Sequence, residues 1–150
     1  MLQVCSFVFV SFLILLVVSD LKWKLLPHPF TNLFAISGFV FQAVDKSFNL
    51  TSFYIAACGF VVIGALIFTL TQIFSEVLGG GDIKMMLAIS IWLGIIKSAY
   101  VLVLAFGIGA LVALILLAVK KINRKSTMPF GPFLAFGACV MWFWPKWLIT

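Results

Sequence analysis

Apolar residues in this chain run in long stretches broken by short polar punctuation. The runs fall at approximately Leu2 to Ser19, Phe30 to Val44, Phe53 to Phe74, Ile83 to Ile96, Ala99 to Val119 and Phe130 to Leu148. An α-helix needs roughly 20 predominantly apolar residues to cross a bilayer. The pattern therefore predicts an all-α polytopic membrane protein, a bundle of about six transmembrane helices making one domain over residues 1–150. The second and fourth runs are short and would extend into their flanks. The connections are DLKWKLLPHP, DKSFNLTS, SEVLGGGD, a minimal turn near Lys97, and KKINRKSTM. The first run lacks a preceding basic segment and a clear small-residue cleavage site, so it reads as a retained helix rather than a secretory signal.

Composition narrows the class further. Residues of the hydrophobic set make up 65% of the 150 and charged residues 9%, against about 25% charged in soluble domains. With a mean hydropathy of +1.28, no room remains for a second, water-soluble domain. The net charge of +6 does not point to nucleic acid, because most of the basic residues sit in short clusters beside apolar runs. Such clusters set orientation or touch anionic lipid.

Loops one, three and five must share one side of the membrane. That side carries Lys22, Lys24, Lys84, Lys120, Lys121, Arg124 and Lys125, and the other carries Lys46, Lys97 and Lys146. The bias places the odd loops in the cytoplasm and both termini outside. Trp142, Trp144 and Trp147 then suit an outer interfacial belt. Cys5, Cys58 and Cys139 stand singly with no CxxC pair and one histidine, His28, in the chain, which argues against a zinc site.

The four acidic residues are Asp20, Asp45, Glu76 and Asp82. Asp45 adjoins Lys46 in a short outer loop and reads as a solvated charge; Glu76 reads as interfacial. Asp20 and Asp82 each abut an apolar span at the cytoplasmic boundary, so two carboxylates from distant parts of the chain can meet on one face. Ionisable groups at membrane depth are costly and mark functional sites. Two carboxyl groups a few ångströms apart share one proton, which gives an acid and a base in one site. The ionised member can take a proton from water while the protonated one hydrogen-bonds the carbonyl under attack. The competing structural reading is that Asp82 caps the helix that follows it. Gly79, Gly80 and Gly81 would permit unusual backbone conformations or the close approach of an extended substrate strand beside Asp82; a simple turn between spans would use glycine too.

Three segments together resemble the type IV prepilin peptidase family, membrane aspartyl proteases of the GxGD type. Gly79-Gly80-Gly81-Asp82, followed by Ile83 and Lys84, resembles the family's GxGD element. Asp20, with Lys22, Lys24 and Pro27 after it, resembles the first catalytic aspartate and its proline-ended loop. Met128-Pro129-Phe130-Gly131-Pro132-Phe133-Leu134-Ala135-Phe136-Gly137 resembles the P-F-G-P-F-L-A-x-G element before the last span.

The resemblance implies catalytic roles for Asp20 and Asp82 and no metal or cofactor. The implied activity is endoproteolysis at the cytoplasmic face of the inner membrane. The implied substrate is a prepilin or pseudopilin whose short basic leader precedes a hydrophobic helix. Pro129, Phe130, Gly131 and Pro132 would shape a rigid re-entry bordering the site, and Lys84 would snorkel to the interface. His28 stands where many members have Asn or Asp. The tetracysteine segment linked to N-methylation is missing, which implies a short, peptidase-only form. A small transporter or proton-coupled membrane subunit using Asp20 and Asp82 as ion sites is the rival reading, although transporters place such acids nearer mid-bilayer on broken helices.

Overall fold

The structure, a computed structural model, describes residues 2–23, 28–44, 50–73, 79–119 and 129–144. Every regular element among them is helical: α1 (Leu2–Trp23), α2 (His28–Val44), α3 (Leu50–Ile73), α4 (Gly80–Ala118) and α5 (Gly131–Phe143). The all-α expectation holds. Two helical stretches, Gln3–Trp23 and Gly80–Ala118, are long and apolar enough to cross a membrane; Ala57–Thr69 and Gly131–Phe143 are shorter apolar helices. Lys24, Pro27, Asp45, Lys46, Glu76, the basic stretch from Lys120 to Lys125, Met128, Lys146 and Trp147 lie outside the described residues.

The two expected spans Ile83–Ile96 and Ala99–Val119 are one element interrupted at Gly94, whose backbone angles, φ 75° and ψ 175°, are non-helical. The contacts on either side show that the chain reverses there. In residues 80–93, Asp82 is at the Asp20 end of α1, and Trp92 is at the opposite end, packed against Phe9. In residues 95–118, Lys97 is beside Met141 at the end of α5, and Gly109 is beside Phe130 and Phe133 at its start. The break therefore falls three residues before the expected turn at Lys97. Positive φ combined with ψ near 180° is open essentially to glycine alone and costs a side-chain-bearing residue roughly 1–3 kcal/mol, so glycine is the residue that turns most cheaply here.

α1 and α5 run antiparallel. Asp20 meets Gly131 at one end, and Ser6 accepts a hydrogen bond from Trp142 Nε1 at the other. α2 descends from the Asp20 end, with Phe34 against Phe12 and Gln42 Nε2 donating to Ile91 O at 3.1 Å. α3 ascends, with Gly59 against Ile95 and Gly64 against Leu87. The path is thus six alternating helical passes. Asp20 and Asp82, the ends of the first and third connections, come to the same end of the bundle, as the loop parity predicts.

Inside a membrane, lipid tails are as apolar as the helices, so close packing of small residues has to supply the attraction. Two approaches here are backbone to backbone: a Cβ built on Gly59 would lie 3.0 Å from Ile95 N, and one on Gly137 would lie 3.1 Å from Val101 O. The far end is filled by rings. Trp92 stacks on Phe34 and Phe41 and donates its Nε1–H to Phe34 O at 2.9 Å. Trp142 stacks on Phe9 with centroids 4.6 Å apart. Of the tryptophans expected in an interfacial belt, Trp142 is half-buried in this cluster, whereas Trp144 is exposed. The indole N–H of Trp142 donates to Ser6 Oγ at 2.9 Å, which satisfies its polar group within the bundle. Lys97 donates to Met141 O at 3.0 Å and Trp144 O at 3.4 Å, placing a cation where the carbonyls at the end of α5 concentrate negative charge.

Candidate active site

Both aspartates are buried despite their charge: Asp20 is 6% exposed and Asp82 8%. Asp20 is carried near the end of α1, with buried Ser19 before it and exposed Leu21, Lys22 and Trp23 after it. The backbone N–H of Gly131 donates to Asp20 Oδ2 at 3.0 Å. This donor is the first residue of α5, where helical N–H groups have no partner within their own helix. The Pro-Phe-Gly-Pro segment supplies it. Pro132 fits the start of a helix because it has no N–H to lose, and Phe130 anchors the turn against Phe106 at 4.9 Å between centroids.

Asp82 is the third residue of α4. Its N–H donates to Gly79 O at 3.0 Å, and its carboxylate accepts from the Gly79 N–H. The helix starts at Gly80 with Gly79 as its N-cap residue, so Asp82 is a first-turn acid reaching back to that residue and not the cap of a helix beginning at Ile83. That bond accounts for one oxygen only. Oδ1 of Asp82 is buried and has no hydrogen-bond partner, and Asp20 is close enough for its charge to act on Asp82. A cap alone would be satisfied at an exposed helix end, whereas this carboxylate is withdrawn from water beside a second one.

The glycines behave differently from the expectation of unusual backbone. Gly79 is ordinary extended chain, φ −70° and ψ 146°, Gly80 and Gly81 are helical, and Gly94 alone among the described glycines has positive φ. A Cβ on Gly80 would meet nothing within 4 Å, and one on Gly79 would make ordinary contact with Asp82 Oδ2 at 3.4 Å. Gly131 is the sterically demanding position, since a Cβ there would lie 2.5 Å from Asp20 Oδ2 and 3.0 Å from its Cγ.

Of the other expected site residues, Lys84 is exposed, and Pro129, Phe130 and Pro132 are half-buried around Gly131. His28 begins α2. Ser19 and Thr31 are 3% and 2% exposed and belong to the aspartate end. No motif marks them, because single hydroxyl residues beside an apolar run have no distinctive pattern. Among the described residues, no group of three or more His, Cys, Asp or Glu side chains could hold a metal ion.

The site thus joins two buried carboxylates from separate helices at one end of an apolar bundle. That arrangement defines a class, a helical bundle with a paired-carboxylate site. The type IV leader peptidase family model matches residues 7–114, a stretch that holds both aspartates and ends before Pro129. The chain belongs to the type IV leader peptidase family, and with its two long apolar helices it is a membrane protein.

Similar curated proteins are named prepilin leader peptidase/N-methyltransferase. The Legionella pneumophila protein is 31% identical over 139 residues, covering 88% of this chain and 47% of its own length. That of Aeromonas hydrophila is 28% identical over 144 residues, 92% of this chain and 50% of its own. That of Bacillus subtilis is 29% identical over 148 residues, 95% and 56%. The chain spans about half the length of the curated relatives it matches. No solved structure matches it.

Proposed function

We propose that this protein is an aspartic endopeptidase of the inner membrane that removes the short basic leader of prepilin or pseudopilin substrates at the cytoplasmic face. The observation that carries the reading is the meeting of Asp20 and Asp82, 62 positions apart in the chain, as buried carboxylates within electrostatic reach of each other. All six helical passes cross the bilayer in this reading. The excess of lysine and arginine on the aspartate side sets that side in the cytoplasm.

Chemistry follows from the pair. One carboxylate takes a proton from water as the water attacks the scissile carbonyl, and the partner carboxyl gives its proton to the carbonyl oxygen. When the tetrahedral gem-diol collapses, the first carboxyl protonates the departing nitrogen and a hydroxyl proton returns to the second, which restores the resting pair. No metal or cofactor enters these steps. The substrate's apolar helix lies in the bilayer against the bundle and brings its leader junction to the water boundary. Of the site-shaping Gly79, Gly80 and Gly81, Gly80 matters here for what it leaves open. Helical Gly80, with empty space where a Cβ would stand, costs roughly 1 kcal/mol of helix stability relative to alanine, and passage of an extended peptide beside Asp82 gives that cost a purpose.

Incubating the purified protein in lipid nanodiscs with a panel of prepilin-like substrates, and reading the products by mass spectrometry, tests the proposal. A single cut at the leader junction is expected. Intact substrates across the panel with well-folded protein would leave the ion-site reading as the better account.

A further inference from the structure

The two carboxyl groups are not equivalent, and we infer that Asp82 holds the proton of the resting pair while Asp20 is the ionised partner. The inference rests on the peptidase reading for its mechanistic meaning but on the fold for its evidence. Asp20 Oδ2 is met by the Gly131 N–H at 3.0 Å, a backbone donor at the start of a helix that can serve only an acceptor and whose axial dipole favours negative charge. Gly131 owes this contact to its missing side chain, since a Cβ would stand 2.5 Å from that same oxygen.

Asp82 also accepts one backbone N–H, from Gly79. Its own helix likewise begins beside it, so the helix ends alone do not separate the two residues. The second oxygens do. Oδ1 of Asp82 is sealed from solvent with no donor in reach, whereas no oxygen of Asp20 is in that condition. An ionised Asp82 would hold a charged oxygen dry and unpaired next to another carboxylate. A protonated Asp82 leaves only a neutral oxygen in that place, which costs far less. Among the described residues, the charged groups at this end are Asp20 and, exposed on α1 and α4, Lys22 and Lys84; the charge of Asp20 acts on Asp82. A neutral Asp82 removes that repulsion as well. In the reaction, Asp20 is then the base that takes the proton of the attacking water, and Asp82 is the acid that protonates the carbonyl oxygen.

Infrared spectroscopy reads this without any substrate, so it stands or falls separately from cleavage. Asp45→Asn and Glu76→Gln remove the other two acidic side chains of the chain and leave the pair alone. At mildly acidic pH, about 5, this background should show one protonated-carboxyl stretch, absent after Asp82→Asn. A protonated-carboxyl band that survives Asp82→Asn, or no such band in the background protein, would overturn the assignment. Where an amide variant fails to fold, Asp20→Glu and Asp82→Glu replace it. The substitution that shifts the band identifies the proton's holder, and a shift with Asp20→Glu alone is the refuting result.

Discussion

Gly131→Ala is the smallest change that reaches the candidate site, and its consequence can be worked from the contacts. The added methyl carbon would stand 2.5 Å from Asp20 Oδ2, 3.0 Å from Cγ and 3.2 Å from Cβ. Rotation of the carboxylate relieves the first two distances. It cannot relieve the third, because Cβ moves only with the backbone of α1. The helices must therefore part by a few tenths of an ångström while the carboxylate turns away by on the order of an ångström, which breaks the Gly131 N–H to Asp20 hydrogen bond. Overpacking of this kind costs about 1–3 kcal/mol, and misplacing a catalytic group by about 1 Å costs on the order of 100-fold in rate. The protein should stay folded, because the strain is confined to one end of the α1 and α5 pair, and the aromatic cluster at the far end still joins them.

The paired control is Gly80→Ala, where nothing lies within 4 Å of the new carbon and alanine favours the helix by roughly 1 kcal/mol. Its melting temperature should hold or rise, and any loss of cleavage must come from substrate access, visible as a raised KM. Thermal unfolding in nanodiscs and steady-state cleavage of a prepilin-like peptide measure both variants. Undiminished cleavage by Gly131→Ala, at matched protein levels, would refute the claim that the start of α5 positions Asp20.

Asp20→Asn and Asp82→Asn should each abolish cleavage without unfolding the protein, and the double variant should be no worse than either single one, because groups acting as a unit fail together; substantial activity in a single variant would end the two-aspartate mechanism. Gly94→Ala should lower stability by roughly 1–3 kcal/mol, because its positive φ with ψ near 180° is open essentially to glycine alone, and Gly59→Ala should also destabilise, because the added carbon meets the backbone of Ile95, which cannot swing aside. Unchanged melting of both would contradict the reversal at Gly94. With Cys5, Cys58 and Cys139 replaced, cysteines introduced at Ser75 or Ser126 should resist impermeant reagents added to intact cells; strong labelling would invert the topology. Cleavage should survive chelators and leave an unmethylated terminus, and a one-methyl mass gain dependent on S-adenosylmethionine and this protein alone would refute that.

Much of this was legible before any coordinates, and the reasons are physical. Lipid forces each crossing segment to satisfy its own backbone, so long apolar runs can only be helices, and the parity of crossings follows. The same parity brought Asp20 and Asp82 to one end. What stayed hidden depends on local conformation and on contacts between distant residues. A glycine inside an apolar run gives no sign that its φ is positive, so the turn was expected at Lys97, the nearest charge. Lys97 instead caps the end of α5. The glycines before Asp82 suggest backbone freedom, yet their backbone is ordinary extended or helical chain, and at Gly80 the contribution is empty space. Trp142 reads from the sequence as an exposed interfacial ring, and its partner Ser6 lies 136 positions away.

These hidden features share a consequence for the site. Asp82 is placed locally, by the first turn of its own helix and the Gly79 N–H. Asp20 is placed from a distance, by the one N–H of Gly131 across 111 residues of sequence. The separation of the two carboxylates is therefore set by how α1 seats on α5, and that seating is pinned at the opposite end by Trp142 against Phe9 and Ser6. A lever of this shape makes the far-end aromatic cluster part of the site's geometry although no ring in it approaches a carboxylate. Substitutions there should disturb the aspartate pair through helix seating, whereas substitutions on the exposed side of α3, at Val61 or Phe68, should not.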